Sequence, residues 1–412
     1  MAQSDPVKVL DVCRVAPMPQ TPNSTAQTTL PLTFFDVLWL RFLPNQRLFF
    51  YEFPYPETTL IDTILPKLKH SLSAALQHYL PLAGNLTWPP DSGKPIIQYN
   101  EGDTVSLTVA ESEANFYHLS GSIFREAEKF HHLVPSLPAS KTTVPVLALQ
   151  VTLFPDAGLS IGYAAHHAVF DGKSISMFMH SWASICRHGD DSTLATELTP
   201  FYDRTAINDP SDIEKAYLDG WLAHNGPNNR SLEIWDVKAP PDTMLGTFQL
   251  TQANIESIKN CLLKGAKELI PNYLSRLKEG GLVSIAGSPR FELYKTDFGW
   301  GRPSKVEMVS IDKSGAFCLS DSRDGNGGIE IGFPQLKQQK QQPEVAHQVF
   351  QNRGFLAASS KYYQSLFILG VLVMMFNMLK QQKQQPEVAH QVFQNRGFLA
   401  ASSKYYQRYE YD

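Results

Sequence analysis

The apolar and polar residues between positions 144 and 188 predict two strands followed by a helix. In Val144–Phe154, leucine and valine at positions 147, 149, 151 and 153 alternate with alanine, glutamine and threonine, which is the period of a half-buried strand. The turn Pro155–Gly158 leads into a second apolar run, Leu159–Ala165. After Gly172 the apolar residues recur at helical spacing. The stretch is therefore predicted to form strand, turn, strand, loop and amphipathic helix.

The same patterns predict elements along the rest of the chain. Residues 116–130 are mixed and polar, which predicts a surface segment. Thr251 is a candidate N-cap for the helix that follows it. The predicted strands are 7–15, 95–99, 105–109, 244–250, 291–296, 306–311, 316–320 and 329–333, and the predicted helices are 60–79 and 251–263.

The length of the chain predicts two domains and a linker. A chain of 412 residues is too long for one core of ordinary size, and 43% hydrophobic residues are enough to fill two cores. Residues 189–241 are polar and irregular, with Asp, Asn, Pro and Gly throughout, as in a connection between domains. We therefore expect an N-terminal domain at 1–188, a crossover linker at 189–241 and a second domain from 242 to 335.

Charge and cysteine content narrow the class of protein and its compartment. The net charge of -4, from 36 basic and 40 acidic residues, shows no basic excess for a nucleic-acid partner. The four cysteines include no C-x-x-C pair, which favours reduced thiols over a disulfide framework or a zinc site. The N-terminal residues lack the basic and apolar regions of a secretory signal. We therefore expect a cytoplasmic protein with no nucleic-acid or membrane partner.

Two histidines and an aspartate stand on the predicted connection from strand to helix. His166 and His167 end the second strand, and Asp171 follows His167 by four residues. A histidine, with an ordinary pKa of about 6.5, can take a proton from a bound hydroxyl and later return it. The carboxylate could fix the loop or the histidine tautomer. On these residues alone, a structural histidine and a helix-capping aspartate explain the pattern better.

A second motif, Asp297-Phe298-Gly299-Trp300-Gly301, reverses that preference. Together with the H-x-x-x-D motif, His167 to Asp171, it resembles the paired signature of the plant BAHD acyltransferases, which move an acyl group from coenzyme A to an alcohol or amine. The stretches that look like the clade acting on anthocyanins and phenolic glucosides are Leu32–Asp36, Arg47–Tyr51, Tyr79–Asn85 and Pro200–Arg204. The resemblance covers residues 1 to about 260 and about 262 to 334.

The resemblance implies a fold and a reaction. The expected fold is α/β, the two-domain chloramphenicol acetyltransferase-like fold of coenzyme A-dependent acyltransferases, with the active site in a channel between the domains. The expected reaction moves a malonyl or hydroxycinnamoyl group from acyl-CoA to a hydroxyl of a phenolic or flavonoid glucoside. Acyl-CoA is a co-substrate, no bound cofactor or metal is expected, and the chain is expected to be a monomer.

The resemblance also assigns roles to residues. His167 is the expected general base, with Asp171 and Asp297 as the acidic members of the two motifs. In the second motif, Gly299 and Gly301 permit tight backbone geometry beside Trp300, which suits a structural corner better than a catalytic centre. We therefore expect Asp297, like Phe298–Gly301, to act mainly through structure. The oxyanion donor is not identified.

The chain departs from the family pattern in two places. Between Asn260 and Leu262 it lacks many tens of residues that relatives carry, including strands of the second domain, part of the coenzyme A channel and an arginine that pairs with the aspartate of H-x-x-x-D. The second domain is therefore expected to be incomplete. In the tail, 336–412, residues 336–364 recur letter for letter at 379–407, which suggests a recent duplication or an assembly artefact. The apolar run Leu366–Leu379 between the copies is too short for a membrane span.

Three other interpretations stay open. Gly158–Gly162 matches the G-x-S-x-G motif of serine hydrolases, with Ser160 as nucleophile, although the motif enters a strand instead of a helix. His166, His167 and Asp171 could ligate a metal, but adjacent residues of a strand point to opposite faces. Finally, the missing segment and duplicated tail fit a catalytically inactive acyltransferase-like protein or a faulty gene assembly.

Overall fold

The computed structural model describes residues 7–19, 28–53, 57–121, 124–138, 140–189, 194–209, 211–257 and 285–336. All of them lie in one compact unit, composed of residues 1–258 and 283–357. The predicted junction at Asn260, the end of the 251–263 helix, Cys261, the duplicated tail and its apolar run lie outside the described residues.

The described elements are strands, helices and short 3-10 turns. The strands β1 to β15 are Val7–Val15, Thr28–Pro31, Asn45–Glu52, Asn85–Thr87, Ile96–Tyr99, Val105–Ser112, Arg125–Glu126, Thr143–Pro145, Leu147–Phe154, Gly158–Ala165, Thr243–Leu250, Ile285–Gly287, Lys305–Met308, Phe317–Asp321 and Ile329–Leu336. The helices α1 to α8 are Phe34–Val37, Glu57–Thr59, Leu65–His78, Phe116–Leu119, Glu128–His131, Gly172–His188, Ile213–Ala223 and Ile311–Ser314. The 3-10 turns are Leu80–Ala83, Thr196–Leu198, Arg204–Ala206, Pro289–Phe291 and Leu293–Lys295, and a π-helical turn at Leu60–Ile64 precedes α3.

These strands form three sheets. The six-stranded sheet has the order β1-β6-β9-β10-β3-β13, the five-stranded sheet β12-β14-β15-β11-β7, and the four-stranded sheet β2-β5-β4-β8. In the six-stranded sheet β10 is antiparallel to β9 and β3, whereas β6 runs parallel to β9. The architecture is thus α/β with mixed sheets and flanking helices.

The strands and helix around the two histidines form where the sequence predicted them, as β9, β10 and α6. The expectation that β9 is half-buried is wrong, because all eight of its residues are buried, including Gln150 and Thr152. Gln150 donates to the carbonyl of His132 and to the hydroxyl of Thr152, which satisfies its amide inside the protein. Both faces of the sheet are covered, so polar residues of β9 do not mark a solvent face.

The region after Gly287 differs from the sequence prediction. Residues 291–296 were predicted as a strand, but they form two 3-10 turns, with Glu292 in the left-handed region at φ 50°. The strand predicted at 306–311 is β13, which ends at Met308. It pairs with β3 of the six-stranded sheet, not with β14. The predicted strands 316–320 and 329–333 are confirmed as β14 and β15, which form an antiparallel hairpin whose turn contains Gly325 and Gly327, both with positive φ.

The predicted surface segment 116–130 is in fact partly core. Phe116, Arg125 and Phe130 are at most 2% exposed. Arg125 lies on β7, which pairs with β11 and so adds a strand to the five-stranded sheet. The six-stranded and five-stranded sheets therefore each hold one strand from the opposite half of the sequence, β13 and β7. The domain boundaries at 188 and 241 stay a prediction.

Candidate active site

His166 and His167 follow the last residue of β10, where the chain turns toward α6. The His166 carbonyl accepts hydrogen bonds from the amides of Val169 (2.9 Å) and Phe170 (3.1 Å), which makes the turn. The His166 side chain is completely buried, and its Nδ1 accepts a 3.2 Å bond from the amide of Ala168. Burial lowers the pKa of His166 to about 3. His166 is therefore a neutral residue of the core.

His167 is only partly buried. Burial lowers the pKa of its imidazole, and a hydrogen bond with its own backbone and the Asp171 charge oppose this shift in part. The Nδ1 atom is buried, and no other described residue is its hydrogen-bond partner. Its ring lies flat against the indole of Trp39, with centroids 4.1 Å apart and planes 9° from parallel. A neutral imidazole in this position can accept a proton from a hydroxyl group.

Asp171 is exposed and caps helix α6. Its carboxylate accepts hydrogen bonds of 2.7 Å from both the amide and the hydroxyl of Ser174, and the Ser174 hydroxyl accepts one from the amide of Asp171 (3.0 Å). This is a reciprocal capping box, which satisfies free amides at the start of the helix. The next residue is Gly172, where a Cβ would lie 2.4 Å from a ring carbon of Phe291. The loop is thus held by the cap and by close packing.

Asp297 lies at the opposite end of α6. One of its oxygens accepts from the amides of Gly299 (2.8 Å) and Gly301 (2.9 Å), and the other accepts from Arg187 (2.8 Å). Arg187 is in the last turn of the 17-residue helix that Asp171 caps. At about 1.5 Å per residue, such a helix separates its two ends by about 25 Å. The structure therefore does not bring Asp297 together with His167 and Asp171.

The remaining residues of the second motif pack against an aromatic cluster. Phe298 is fully buried, stacks on Trp300 at 5.5 Å and meets Trp182 of α6 edge-on at 4.9 Å. Trp300 is only partly buried. Gly299 and Gly301 have φ of 111° and 107°, a region that favours glycine, as the sequence predicted. The motif is therefore a tight turn that packs against α6 and β3.

Two contacts at these motifs could not be found by sequence reasoning. Trp39 follows α1 and carries no motif, yet it forms the flat contact with His167. Arg187 belongs to neither motif, yet it is the partner of Asp297. The partners are separated by more than 100 residues, and no spacing rule connects them.

The alternative sites gain no support. Ser160 is 1% exposed in the middle of β10, which is a strand position and not a turn into a helix. Across the described ranges, no group of three or more His, Cys, Asp and Glu side chains could hold a metal ion. Within the same ranges, no helix is both long and apolar enough to cross a membrane.

Comparison with known proteins defines the class. The fold matches vinorine synthase with a TM-score of 0.58 at 18% identity, covering 81% of this chain and 96% of that one. It also matches TRI101 of F. sporotrichioides, solved with coenzyme A and T-2, with a TM-score of 0.55 at 12% identity, covering 79% and 98%. The chain therefore shares the fold of vinorine synthase and TRI101.

Sequence comparison gives the family. The model of the Transferase family matches residues 8–234 and 242–340. Phenolic glucoside malonyltransferase 1 of Arabidopsis thaliana is 32% identical, covering 79% of this chain and 94% of the relative. An anthocyanidin 5-O-glucoside malonyltransferase and a BAHD acyltransferase of the same plant are 34% and 32% identical, over 79% of this chain. This chain belongs to the Transferase family, the BAHD acyltransferases, as the motifs predicted.

The alignments also show that residues are missing from the chain. The alignment with phenolic glucoside malonyltransferase 1 runs over 443 positions, but 79% of the chain is only about 325 residues. At more than 100 positions the relative therefore has residues that this chain lacks. This total is large enough to include the internal deletion expected between Asn260 and Leu262, whose place in the chain stays a prediction.

Proposed function

We propose that this protein transfers a malonyl group from malonyl-CoA to a sugar hydroxyl of a phenolic or flavonoid glucoside, with His167 as the general base. The observation that carries the proposal is the neutral, partly exposed imidazole of His167 at the junction of β10 and α6. The names of the relatives support the substrates, because several are malonyltransferases of phenolic or anthocyanin glucosides. Acyl-CoA is then a co-substrate and not a resident cofactor.

In the proposed reaction, Nε2 of His167 takes the proton of the acceptor hydroxyl. The acceptor oxygen attacks the thioester carbonyl, and a tetrahedral oxyanion forms. When this collapses, the carbon–sulfur bond breaks and the coenzyme A sulfur receives the proton from His167. No acyl-enzyme forms, so the reaction needs no nucleophilic serine or cysteine.

Under this proposal the two acidic residues act through structure. Asp171 uses its carboxylate to cap α6 and so holds the loop that carries His167. One oxygen of Asp297 accepts from a backbone amide within the second motif, and the other accepts from Arg187 on α6. Neither carboxylate is assigned a proton-transfer step.

The test is a transferase assay of the purified chain with a phenolic glucoside as acceptor. His167→Ala should lower turnover by about 10²- to 10⁴-fold, because it removes the proton-transfer group. His188→Ala, which changes an exposed histidine at the end of the same helix, is the matched control and should keep turnover. Wild-type turnover by His167→Ala overturns the assigned mechanism.

The acyl donor is tested in the same assay. Malonyl-CoA should be used in preference to p-coumaroyl-CoA, although a more distant relative, 29% identical, is an agmatine coumaroyltransferase of Arabidopsis thaliana. Lys173, exposed two residues after Asp171, is a cation that could pair with the malonyl carboxylate. A clear preference for the coumaroyl donor would change the donor and leave the role of His167 intact.

A second candidate is an inactive acyltransferase-like protein, and the more than 100 aligned positions at which this chain lacks residues of the relative favour it. Titration calorimetry of the chain with coenzyme A separates the two. Binding of coenzyme A without turnover of any donor supports the inactive protein, whereas turnover excludes it.

The compartment and assembly belong to the same proposal. We assign the enzyme to the cytosol, because Cys13, Cys186 and Cys318 are free thiols. We assign a monomer, which size-exclusion chromatography with light scattering tests directly.

A further inference from the structure

The indole of Trp39 lies flat against the imidazole of the proposed base, His167. The two rings are 4.1 Å apart and 9° from parallel. Trp39 itself is anchored, because its amide bonds the carbonyl of Asp36 at 3.0 Å and its ring meets Phe42 edge-on at 5.0 Å. Asp36 in turn forms a capping box with Thr33 at the start of α1. The indole is therefore presented to His167 from a fixed turn.

No other residue within the described ranges orients the imidazole of His167 through a hydrogen bond. A general base of this kind is commonly held through its second ring nitrogen by a carboxylate or carbonyl. Here Nδ1 is buried and no other described residue binds it, and only the backbone of His167 itself contributes a hydrogen bond to the imidazole. The nearby carboxylate of Asp171 is occupied by Ser174. Of these contacts, the stack on Trp39 is the one that can fix the plane of the ring.

We propose that Trp39 is the positioning residue of the general base. Its indole face holds the imidazole plane so that Nε2 meets the acceptor hydroxyl. When His167 takes the proton, the same face stabilises the imidazolium through a cation–π interaction, for which tryptophan is the best aromatic side chain. The negative charge of Asp171 also stabilises the imidazolium, because it raises the pKa of His167. This inference rests on the proposed role of His167.

The kinetic test compares three variants of the full chain. Trp39→Leu should lower kcat by about 10- to 100-fold with little change in the KM of either substrate, because misplacement of a catalytic group mainly affects the chemical step. Trp39→Phe keeps an aromatic face and should retain most of kcat. Trp88→Leu is the control, since the indole of Trp88 also carries a contact on its face, with the guanidinium of Arg230 at 5.4 Å, but Trp88 follows β4 and is separate from the turn that holds Trp39.

A spectroscopic test does not depend on turnover. With ¹³C-labelled histidine, the Hε1 resonance of His167 is assigned by its loss in His167→Ala. The ring current of Trp39 should place this resonance upfield, and Trp39→Leu should return it toward the ordinary histidine position. The experiment reports on the stack even if the chain transfers no acyl group, so failure of the proposed function and failure of this inference are distinguishable.

Each result decides the inference. An upfield resonance with a loss of kcat in Trp39→Leu and rescue in Trp39→Phe supports it. The inference is overturned if the Leu and Phe variants of Trp39 lose kcat equally, or if Trp88→Leu loses as much as Trp39→Leu. It is also overturned if Trp39→Leu leaves kcat unchanged or does not move the His167 resonance.

Discussion

At the scale of single residues, His166 and His167 show how adjacent positions acquire different chemistry. Both follow the same strand, but one side chain is enclosed in the core and the other is partly exposed beside Trp39. Complete burial leaves His166 without a second partner for its imidazole and keeps it neutral. His167 is neutral as well, but it can reach a substrate.

The lowered pKa of His167 predicts the pH dependence of activity. The neutral imidazole is the active form, so lowering its pKa below 6.5 keeps the enzyme active at lower pH than an ordinary histidine would. The acid limb of kcat/KM should therefore lie below pH 6.5. Asp171→Asn removes a charge that raises this pKa, and should move the limb further down. A limb above pH 6.5 in the wild type would contradict the assignment.

The cap at Asp171 makes a second prediction at this scale. Asp171→Ala removes the acceptor for the Ser174 amide and should destabilise the protein by about 0.5–2 kcal/mol. Asp171→Asn keeps a good N-cap and should stay close to wild type. Urea unfolding at pH 7 measures both. Loss of activity in Asp171→Asn without loss of stability would instead place the carboxylate in the chemistry.

At the scale of elements, the second motif packs against α6 and β3 and so connects them to the chain that leads into β13. Within the motif we expect Phe298 to contribute most to stability, because it is fully buried whereas Trp300 is only partly buried. Phe298→Ala should cost about 3–5 kcal/mol of stability, and Trp300→Ala less. Phe201→Ala, at a position 77% exposed, is the control and should leave the urea midpoint unchanged. A larger loss for Trp300 than for Phe298 would argue against this ranking.

The six-stranded and five-stranded sheets are joined by a buried network of charges. Lys305 of β13 lies 3.1 Å from Glu330 of β15, and Arg125 of β7 lies 2.7 Å from Glu307 of β13. All four side chains are at most 2% exposed. The buried hydroxyl of Tyr294 donates to Glu330 as well. Because each charge is buried, removal of its partner would leave an uncompensated charge inside the protein.

Breaking this network should therefore be costly. Lys305→Met leaves Glu330 with one cation fewer in a buried site and should destabilise the protein by about 3–5 kcal/mol. The control is Lys215→Met, which breaks an exposed pair with Asp219 and should cost less than about 1 kcal/mol. Chemical unfolding measures both variants. Similar losses of unfolding free energy in the two variants would show that burial does not determine how much these ion pairs contribute to stability.

At the scale of the whole molecule, buried neutral histidines make stability depend on pH. The pKa values of His166 and His180 are lowered to about 3 and about 4 by burial. Since the unfolded chain binds these protons near pH 6.5, stability is full above that pH and falls as the pH decreases toward the folded values. Carboxyl groups with raised pKa values, such as Asp36 and Asp321, act in the opposite direction.

A substitution isolates one of these contributions. Between pH 7.5 and pH 5.5 each buried histidine should remove about 1.4 kcal/mol of stability. His180→Leu should reduce the total loss by about that amount, and His188→Leu, at the exposed end of the same helix, serves as control. Urea midpoints at the two pH values test this. An identical loss in wild type and His180→Leu would contradict it.

The sequence by itself determined the local elements and the family. The two-residue period of β9 and the helical period of α3 and α6 depend only on neighbouring residues, and the positive φ of Gly299 and Gly301 depends on the absence of a Cβ. The paired motifs were sufficient to identify the transferase family and to select His167 as the base of the proposed mechanism.

Only the tertiary structure decided which elements share a sheet and which side chains meet. No local pattern shows that β13 leaves its sequence neighbours to pair with β3, or that both faces of β9 are covered. The contacts of Trp39 with His167 and of Arg187 with Asp297 likewise join distant parts of the chain. The physical reason is that periodicity reports which face of an element is apolar, whereas pairing depends on the packing of the whole chain around a common core.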